Sequence, residues 1–179
     1  MVDSIELERT FMVKYIPEGL DRCDHKEMLD IYIPKSSDHP HIRIRRAGNR
    51  YEITKKEPVA GRDSSKQLEQ TIQLTKEEYD EFASLEGKRV QKIRYSYPYR
   101  GMRAEIDVFS GGLEGLVLVD FEFENESDMQ SFEIPEFCLA DVTQEEFLAG
   151  GTLCGKSYSD IENRLKTFGY SKIAFESKP

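Results

Sequence analysis

Cysteine and histidine are scarce in this chain, three of each in 179 residues. Cys23, Cys138 and Cys154 show no CxxC spacing, and their odd number argues against a disulfide framework, so a reducing cytoplasm is the expected location. His39 and His41 flank Pro40 in an expected turn, too little imidazole to suggest a His-based zinc site. Positive charge is also short: 25 Lys and Arg stand against 34 Asp and Glu, a formal net charge of −9. Such a surface favours neither nucleic acid nor an anionic membrane as a general partner. There is no apolar run of about 18 residues and no secretory leader pattern, so neither membrane spanning nor secretion is expected. The sequence offers no catalytic triad. With 38% hydrophobic and 33% charged residues, its length suits one globular domain, taken here as residues 1–179.

Period-two alternation is abundant. In "SIELERTFMV", residues 4–13, Ile5, Leu7, Phe11 and Val13 alternate with Glu6, Glu8, Thr10 and Met12. Successive strand side chains point to opposite faces, so Glu6 and Glu8 lie side by side despite their like charge. The pattern recurs in "HIRIRRAG", "RYEITKKE", "KQLEQTIQL", "VQKIRYSY", "MRAEIDVF" and "LVLVDFEFEN". Seven strand candidates result, each with one apolar and one polar face, which is an antiparallel signature. Helices are expected between them. "TKEEYDEFASLEG" opens with Thr75 and carries Glu78 at capping-box spacing. "SDIENRLKTFGY" does the same with Ser159 and Glu162, predicting a helix over about 159–168 that stops at Gly169. Its Ile161 and Leu165 are expected to cover the sheet or to mediate a homodimer. Residues 19–30 read as a weaker helix, "ESDMQSF" as a short helical turn, and residues 59–65 as loop.

The polar strand faces allow two readings: a half-buried sheet with its charges in water, or a closed barrel with charges inside. The segregation of sign favours the barrel. Glu6/Glu8, Glu105/Asp107 and Asp120/Glu122 are acidic pairs at i, i+2, whereas Arg43/Arg45 and Lys92/Arg94 are basic ones. A solvated sheet mixes signs, because like neighbours cost stability. Carboxylate clusters hold hard cations such as Mg²⁺ or Mn²⁺ through oxygen. Arginines grip phosphate with paired donors. Phe121 and Phe123 read as core, Arg103 as a rim charge, and Tyr95, Tyr97 and Tyr99 as packing residues ahead of a nucleotide-stacking ladder.

In order, "IELERTFMV", "IRIRR", "ITKK", "QLEQTIQLT", "QKIRY", "AEIDVFSGGLEGLVLVDFEFEN" and "IPEFCLADVT" resemble the CYTH family, the triphosphate tunnel metalloenzymes, from about residue 4 to residue 155. The family includes class IV adenylate cyclases, thiamine triphosphatases and inorganic triphosphatases. The resemblance implies an α+β, β-dominated fold: an eight-stranded antiparallel closed barrel whose inner wall binds a triphosphate, with flanking helices. It implies metal binding by Glu6, Glu8, Asp107, Asp120 and Glu122, with Glu6, Glu8, Asp107 and Glu122 in catalytic roles. It assigns the phosphates to Arg43, Arg45, Lys55, Arg94 and Lys92, and places Glu69 and Glu105 beside the tunnel arginines, Glu69 on the substrate side.

Departures accompany the resemblance. The lysine of the family's ExExK strand falls on Thr10. Its RxExE strand falls on Ser65, Gln67 and Glu69, so an arginine and a carboxylate are absent. The late ExE begins with the shorter Asp120, and Lys156 has no assigned role. The leading functional expectation is Mg²⁺- or Mn²⁺-dependent hydrolysis of an inorganic or organic triphosphate by water. The alternatives are a class IV adenylate cyclase and a polyphosphate- or nucleotide-binding module with little turnover.

Overall fold

The computed structural model describes residues 4–59 and 63–175. Nine strands form one antiparallel sheet: β1 (Ser4–Val13), β2 (His25–Ile33), β3 (Ile42–Ala47), β4 (Arg50–Pro58), β5 (Lys66–Leu74), β6 (Lys88–Tyr99), β7 (Met102–Phe109), β8 (Val117–Phe123) and β9 (Cys138–Asp141). Their spatial order is β5-β4-β3-β2-β6-β7-β8-β1-β9, and a further β5–β1 pairing closes the first eight into a barrel. The closure registers Ser4 with Glu69 and Leu7 with Lys66. The far end of the same edge of β1 takes β9 instead, with Phe11 opposite Asp141. The long first strand thus closes the barrel and seats a ninth strand outside it.

All seven alternating segments are strands, and closure gives their polar faces an inside. The helix expected over residues 19–30 is not there. A single 3₁₀ turn at Leu20–Arg22 leads into β2, which pairs with β3 and β6. The reason lies in its two faces. Leu29, Ile31 and Ile33 alternate with Met28, Asp30 and Tyr32, so apolar side chains occur on both and the period-two signal is blurred.

Three apolar clusters hold the barrel. One covers the outer wall of β1, β6, β7 and β8 and contains Phe11, Tyr95, Ile106, Val119 and Phe121 with Leu20 and Phe137. Tyr97, Tyr99 and Phe123 pack against it, so the tyrosine series serves packing. A second joins Ile31, Ile44 and Tyr79 beneath α1 (Lys76–Ala83), whose Thr75/Glu78 capping box forms as expected. The third lies at one end of the interior, where Met12, Tyr32, Val90, Phe109 and Leu118 meet Phe147, Leu148, Leu153, Ile161 and Leu165. Each fully buried Leu or Ile there contributes about 1.5–3 kcal/mol relative to exposure. Three short elements deliver this plug: a 3₁₀ turn at Glu146–Leu148, α3 (Gly150–Leu153) and α4 (Tyr158–Thr167).

Ile161 and Leu165 thus face the chain's own core. The cap of α4 is Ser157 with Asp160, not Ser159 with Glu162. Both pairs have the same spacing, and the earlier start lets Tyr158 be buried at the first turn. Gly169, at φ 75°, follows the helix in the left-handed conformation glycine adopts without strain. "ESDMQSF" forms α2 (Glu126–Ser131), capped by Asn125. Of the expected loop 59–65, residues 60–62 lie outside the described residues.

Candidate active site

Inside the barrel is a cavity of about 310 Å³. β1 contributes Glu6, Glu8 and Thr10; β2 contributes Asp30 and Tyr32; β3 contributes Arg43 and Arg45; β4 contributes Glu52, Thr54 and Lys56. β5 adds Gln67 and Glu69, β6 adds Lys92 and Arg94, β7 adds Asp107, and β8 adds Asp120 and Glu122. Every strand of the barrel therefore supplies at least one polar or charged group to one space.

The cations are interleaved with carboxylates. Arg45 donates from Nε and Nη2 to the two oxygens of Asp30 at 2.6 and 2.7 Å, and Glu52 lies 4.0 Å from its Nη1. Burial works against the charge of Asp30, but Arg45 outweighs it and holds this carboxyl well below the usual range. Arg94 donates to both oxygens of Asp107 at 2.7 Å, to Asp120 at 3.1 Å and to Glu105. Lys92 donates to Asp107 as well. Burial pushes Asp107 up, yet Arg94 and Lys92 bring it down to about 2. Burial and the neighbouring Arg94 pull Lys92 below the ordinary lysine value, against the opposing pull of Asp107.

Lys56 Nζ lies 2.9 Å from Glu6, 3.7 Å from Glu8 and 4.0 Å from Glu69. Glu69 accepts from Thr71 at 2.8 Å, and Thr71 in turn meets the buried Thr54 at 2.9 Å.

Carboxylates crowd the β1–β8 seam. Glu8 is directly opposite Glu122, and Thr10 is opposite Asp120. Burial first, then Glu105, Glu6 and Glu8, raise the pKa of Glu122. Burial and Glu8 push Asp120 up to about 7 despite the nearby Arg94. Oxygen donors of like charge that resist ionising together are the donor set a hard divalent cation fits. Among the described residues no three such groups yet converge on one point. Glu6, Glu8, Asp120 and Glu122 all line the cavity along this seam. Asp107 differs in degree: cationic donors from Lys92 and Arg94 engage both of its oxygens, whereas Asp120 takes one such contact from Arg94 and a neutral one from Thr10.

The structure brings together Glu6, Glu8, Arg43, Arg45, Glu69, Lys92, Arg94, Asp107, Asp120 and Glu122. Glu105 sits at the mouth, bound to Arg94. Lys55 is not brought in. It points outward, 3.1 Å from Glu57, and Lys56 takes the inward place. Strand parity alone carries that signal, since Lys56 shares a face with Glu52 and Thr54. Asp30 had no such signal, because its segment read as helix.

Two of the departures turn out to be partners. Thr10 Oγ1 donates to Asp120 Oδ1 at 2.8 Å, so the shortened side chains meet across the seam. Ser65 is tied to Asp63 at 2.7 Å, and neither Ser65 nor Lys156 lines the cavity.

A model of the CYTH domain matches residues 5–146. The chain belongs to the CYTH family. It is 33% identical to an inorganic triphosphatase from Nitrosomonas europaea over 142 residues, 79% of this chain and 91% of that protein. A crystal structure of an inorganic triphosphatase superposes with a TM-score of 0.62 at 28% identity, covering 87% of this chain and 97% of that one. A candidate adenylate cyclase from Bacillus halodurans superposes with a TM-score of 0.56 over 99% of this chain and 97% of that one; at 18% identity it shares the fold. CYTH membership accounts for the ordered acidic and basic strands, and no helix among the described residues is long and apolar enough to cross a membrane.

Proposed function

We propose that this CYTH protein is a divalent-cation-dependent triphosphatase that hydrolyses its substrate inside the barrel. The observation that carries the reading is the barrel cavity of about 310 Å³ in which Arg43, Arg45, Lys56, Lys92 and Arg94 face a seam of carboxylates. The relatives described as inorganic triphosphatases support it. The volume sits at the low end for small-molecule pockets, which suits inorganic tripolyphosphate.

Glu6, Glu8, Asp120 and Glu122 would hold Mg²⁺ or Mn²⁺, which supplies Lewis-acid neutralisation of the phosphate oxygens. The chain's own residues do the rest. Arg43, Arg45 and Arg94 orient the phosphates and stabilise charge that builds in the transition state. Asp30 and Asp107 fix Arg45 and Arg94 in place, so the cradle is preorganised. Asp30, Arg45, Lys92, Arg94 and Asp107 are largely shielded from solvent, which strengthens the contacts among them. Water is the nucleophile, in keeping with the absent triad. The three cysteines are free thiols, as in a reducing cytoplasm.

One observation favours an organic triphosphate instead. A second cleft, of about 630 Å³, adjoins the mouth at Glu105 and Glu122 and is walled by Tyr99, Phe123 and Phe132. An organic group could rest there while its triphosphate lies in the barrel. Product analysis separates these readings: tripolyphosphate, ATP and thiamine triphosphate are incubated with Mg²⁺ or Mn²⁺ and resolved by ³¹P NMR and chromatography. Phosphate and pyrophosphate from tripolyphosphate support the reading. Cyclic AMP from ATP would make the protein a cyclase, and binding without turnover would make it a binding module.

A further inference from the structure

The positive charges of the barrel are not equally free. Asp30 holds Arg45, and Asp107 holds both Lys92 and Arg94. These two carboxylates are 2% exposed and sit within the wall. Arg43 is different: among the described residues no ion pair within 4 Å holds its guanidinium and its buried Nε has no hydrogen-bond partner, its contacts including a hydrogen bond with Tyr32 and the field of Glu69. Lys56 differs again. The two carboxylates nearest its ammonium, Glu6 at 2.9 Å and Glu8 at 3.7 Å, are those assigned above to the divalent cation.

One group of carboxylates cannot serve both cations at full strength. A divalent ion at Glu6 and Glu8 repels an ammonium a few ångströms away, and the lysine's flexible four-carbon stem lets it move where an arginine fork would stay. A destination exists nearby. Lys56 is two residues along β4 from Thr54, and Thr54 pairs with Arg43 on the neighbouring strand.

We propose that Lys56 is a transferable cation. In the ligand-free barrel it neutralises Glu6 and Glu8; when a divalent cation takes those carboxylates, Lys56 turns to the triphosphate beside Arg43. This rests on the triphosphatase reading. It makes cation and triphosphate bind with positive, reciprocal coupling, each raising the affinity for the other. It also makes Arg43, which no carboxylate grips within 4 Å, the main anchor for a triphosphate that arrives without metal.

Calorimetric titration of tripolyphosphate in chelator tests the idea. Glu6→Gln removes the shortest contact of Lys56, leaving Glu8 at 3.7 Å and Glu69 at 4.0 Å, and should tighten binding by up to about tenfold, the scale of one charge-assisted contact. Glu122→Gln removes the same charge from the barrel but lies outside the contacts of Lys56, so its gain should be about twofold, from the general field alone. In a Lys56→Met background the two substitutions should become equivalent. Lys56→Met should also bind Mn²⁺ alone more tightly, because a competitor is gone. Equal gains for Glu6→Gln and Glu122→Gln with Lys56 present would overturn the proposal. So would a Glu6→Gln advantage that survives Lys56→Met. The comparison of the two glutamines needs no change at position 56, so it stands even where Lys56→Met folds poorly. Failure of tripolyphosphate to bind any form, with or without Mg²⁺, would strike down the triphosphatase reading itself.

Discussion

Replacing Asp30 with alanine tests how the barrel tolerates charge in its wall. The carboxylate is 3% and its partner Arg45 9% exposed at the side chain, and two donors bridge them at 2.6 and 2.7 Å. Removing one partner of such a pair strands the other, at a cost of about 3–5 kcal/mol. Glu52, 4.0 Å from Arg45 Nη1, can take up part of the charge, which favours the lower end, about 3 kcal/mol. For a chain of this size that lowers Tm by about 6–12 °C. Direction with pH adds a second check. The carboxyl of Asp30 is held well below its unfolded value, so its contribution is present above about pH 4 and lost as pH falls further. The gap between wild type and Asp30→Ala should therefore be full at pH 7 and shrink towards pH 3. Asp30→Leu with Arg45→Met should recover most of the stability, since a matched apolar pair avoids desolvated charge. The assay is thermal unfolding of these variants and wild type at both pH values. A loss below about 1 kcal/mol at pH 7 would refute the claim that this pair is a buried, mutually dependent unit.

Other consequences can be measured alongside. Glu122→Gln should lower cation-dependent phosphate release by about 100-fold or more while leaving Tm in chelator unchanged or raised, because it relieves a self-repelling cluster; full activity would move the site elsewhere. In chelator the barrel should lose stability between about pH 4 and 7, since Asp120, pushed up to about 7, keeps its proton in the folded state longer than in the unfolded one. Melting curves should show that decline shrink in Asp120→Asn to the part that Glu122, whose pKa is also raised, contributes; an undiminished decline there would assign it to other groups. Gly151→Ala should cost about 1–3 kcal/mol, or about 2–12 °C in Tm, because the added Cβ would stand 2.6 Å from the Pro40 carbonyl oxygen; an unchanged melt would mean that α3 is not packed under that loop.

Much of the architecture was legible because a barrel with charges inside writes itself as alternation. Spacing alone puts Glu6 and Glu8 on one face of β1, and Asp120 and Glu122 on one face of β8; the pairing of the two strands then sets Glu8 opposite Glu122. β2 was not legible, since Met28 and Tyr32 put apolar groups on the inward face beside Asp30, and Lys-Glu-Met-Leu is a good helical string. The loss of β2 hid Asp30, and with it the reason Arg45 can stay charged in the wall. Lys55 and Lys56 show the limit of reading by motif: a one-residue shift reverses the face, and register is set by pairing with β3 and β5. Thr10 and Asp120 looked like two separate losses, because sequence cannot show that positions 110 residues apart share a hydrogen bond. The apolar plug was invisible for a similar reason, as its members come from five strands and the whole C-terminal segment.

Phosphate release from tripolyphosphate by the purified chain, followed first in chelator and then with Mg²⁺ or Mn²⁺ added, bears most directly on the whole account. Turnover should be absent in chelator, appear on addition of the divalent cation, and fall by about 100-fold or more in Arg94→Ala, whose guanidinium spans Asp107, Asp120 and Glu105. Release at an equal rate in chelator, or an Arg94→Ala variant as fast as wild type, would contradict it.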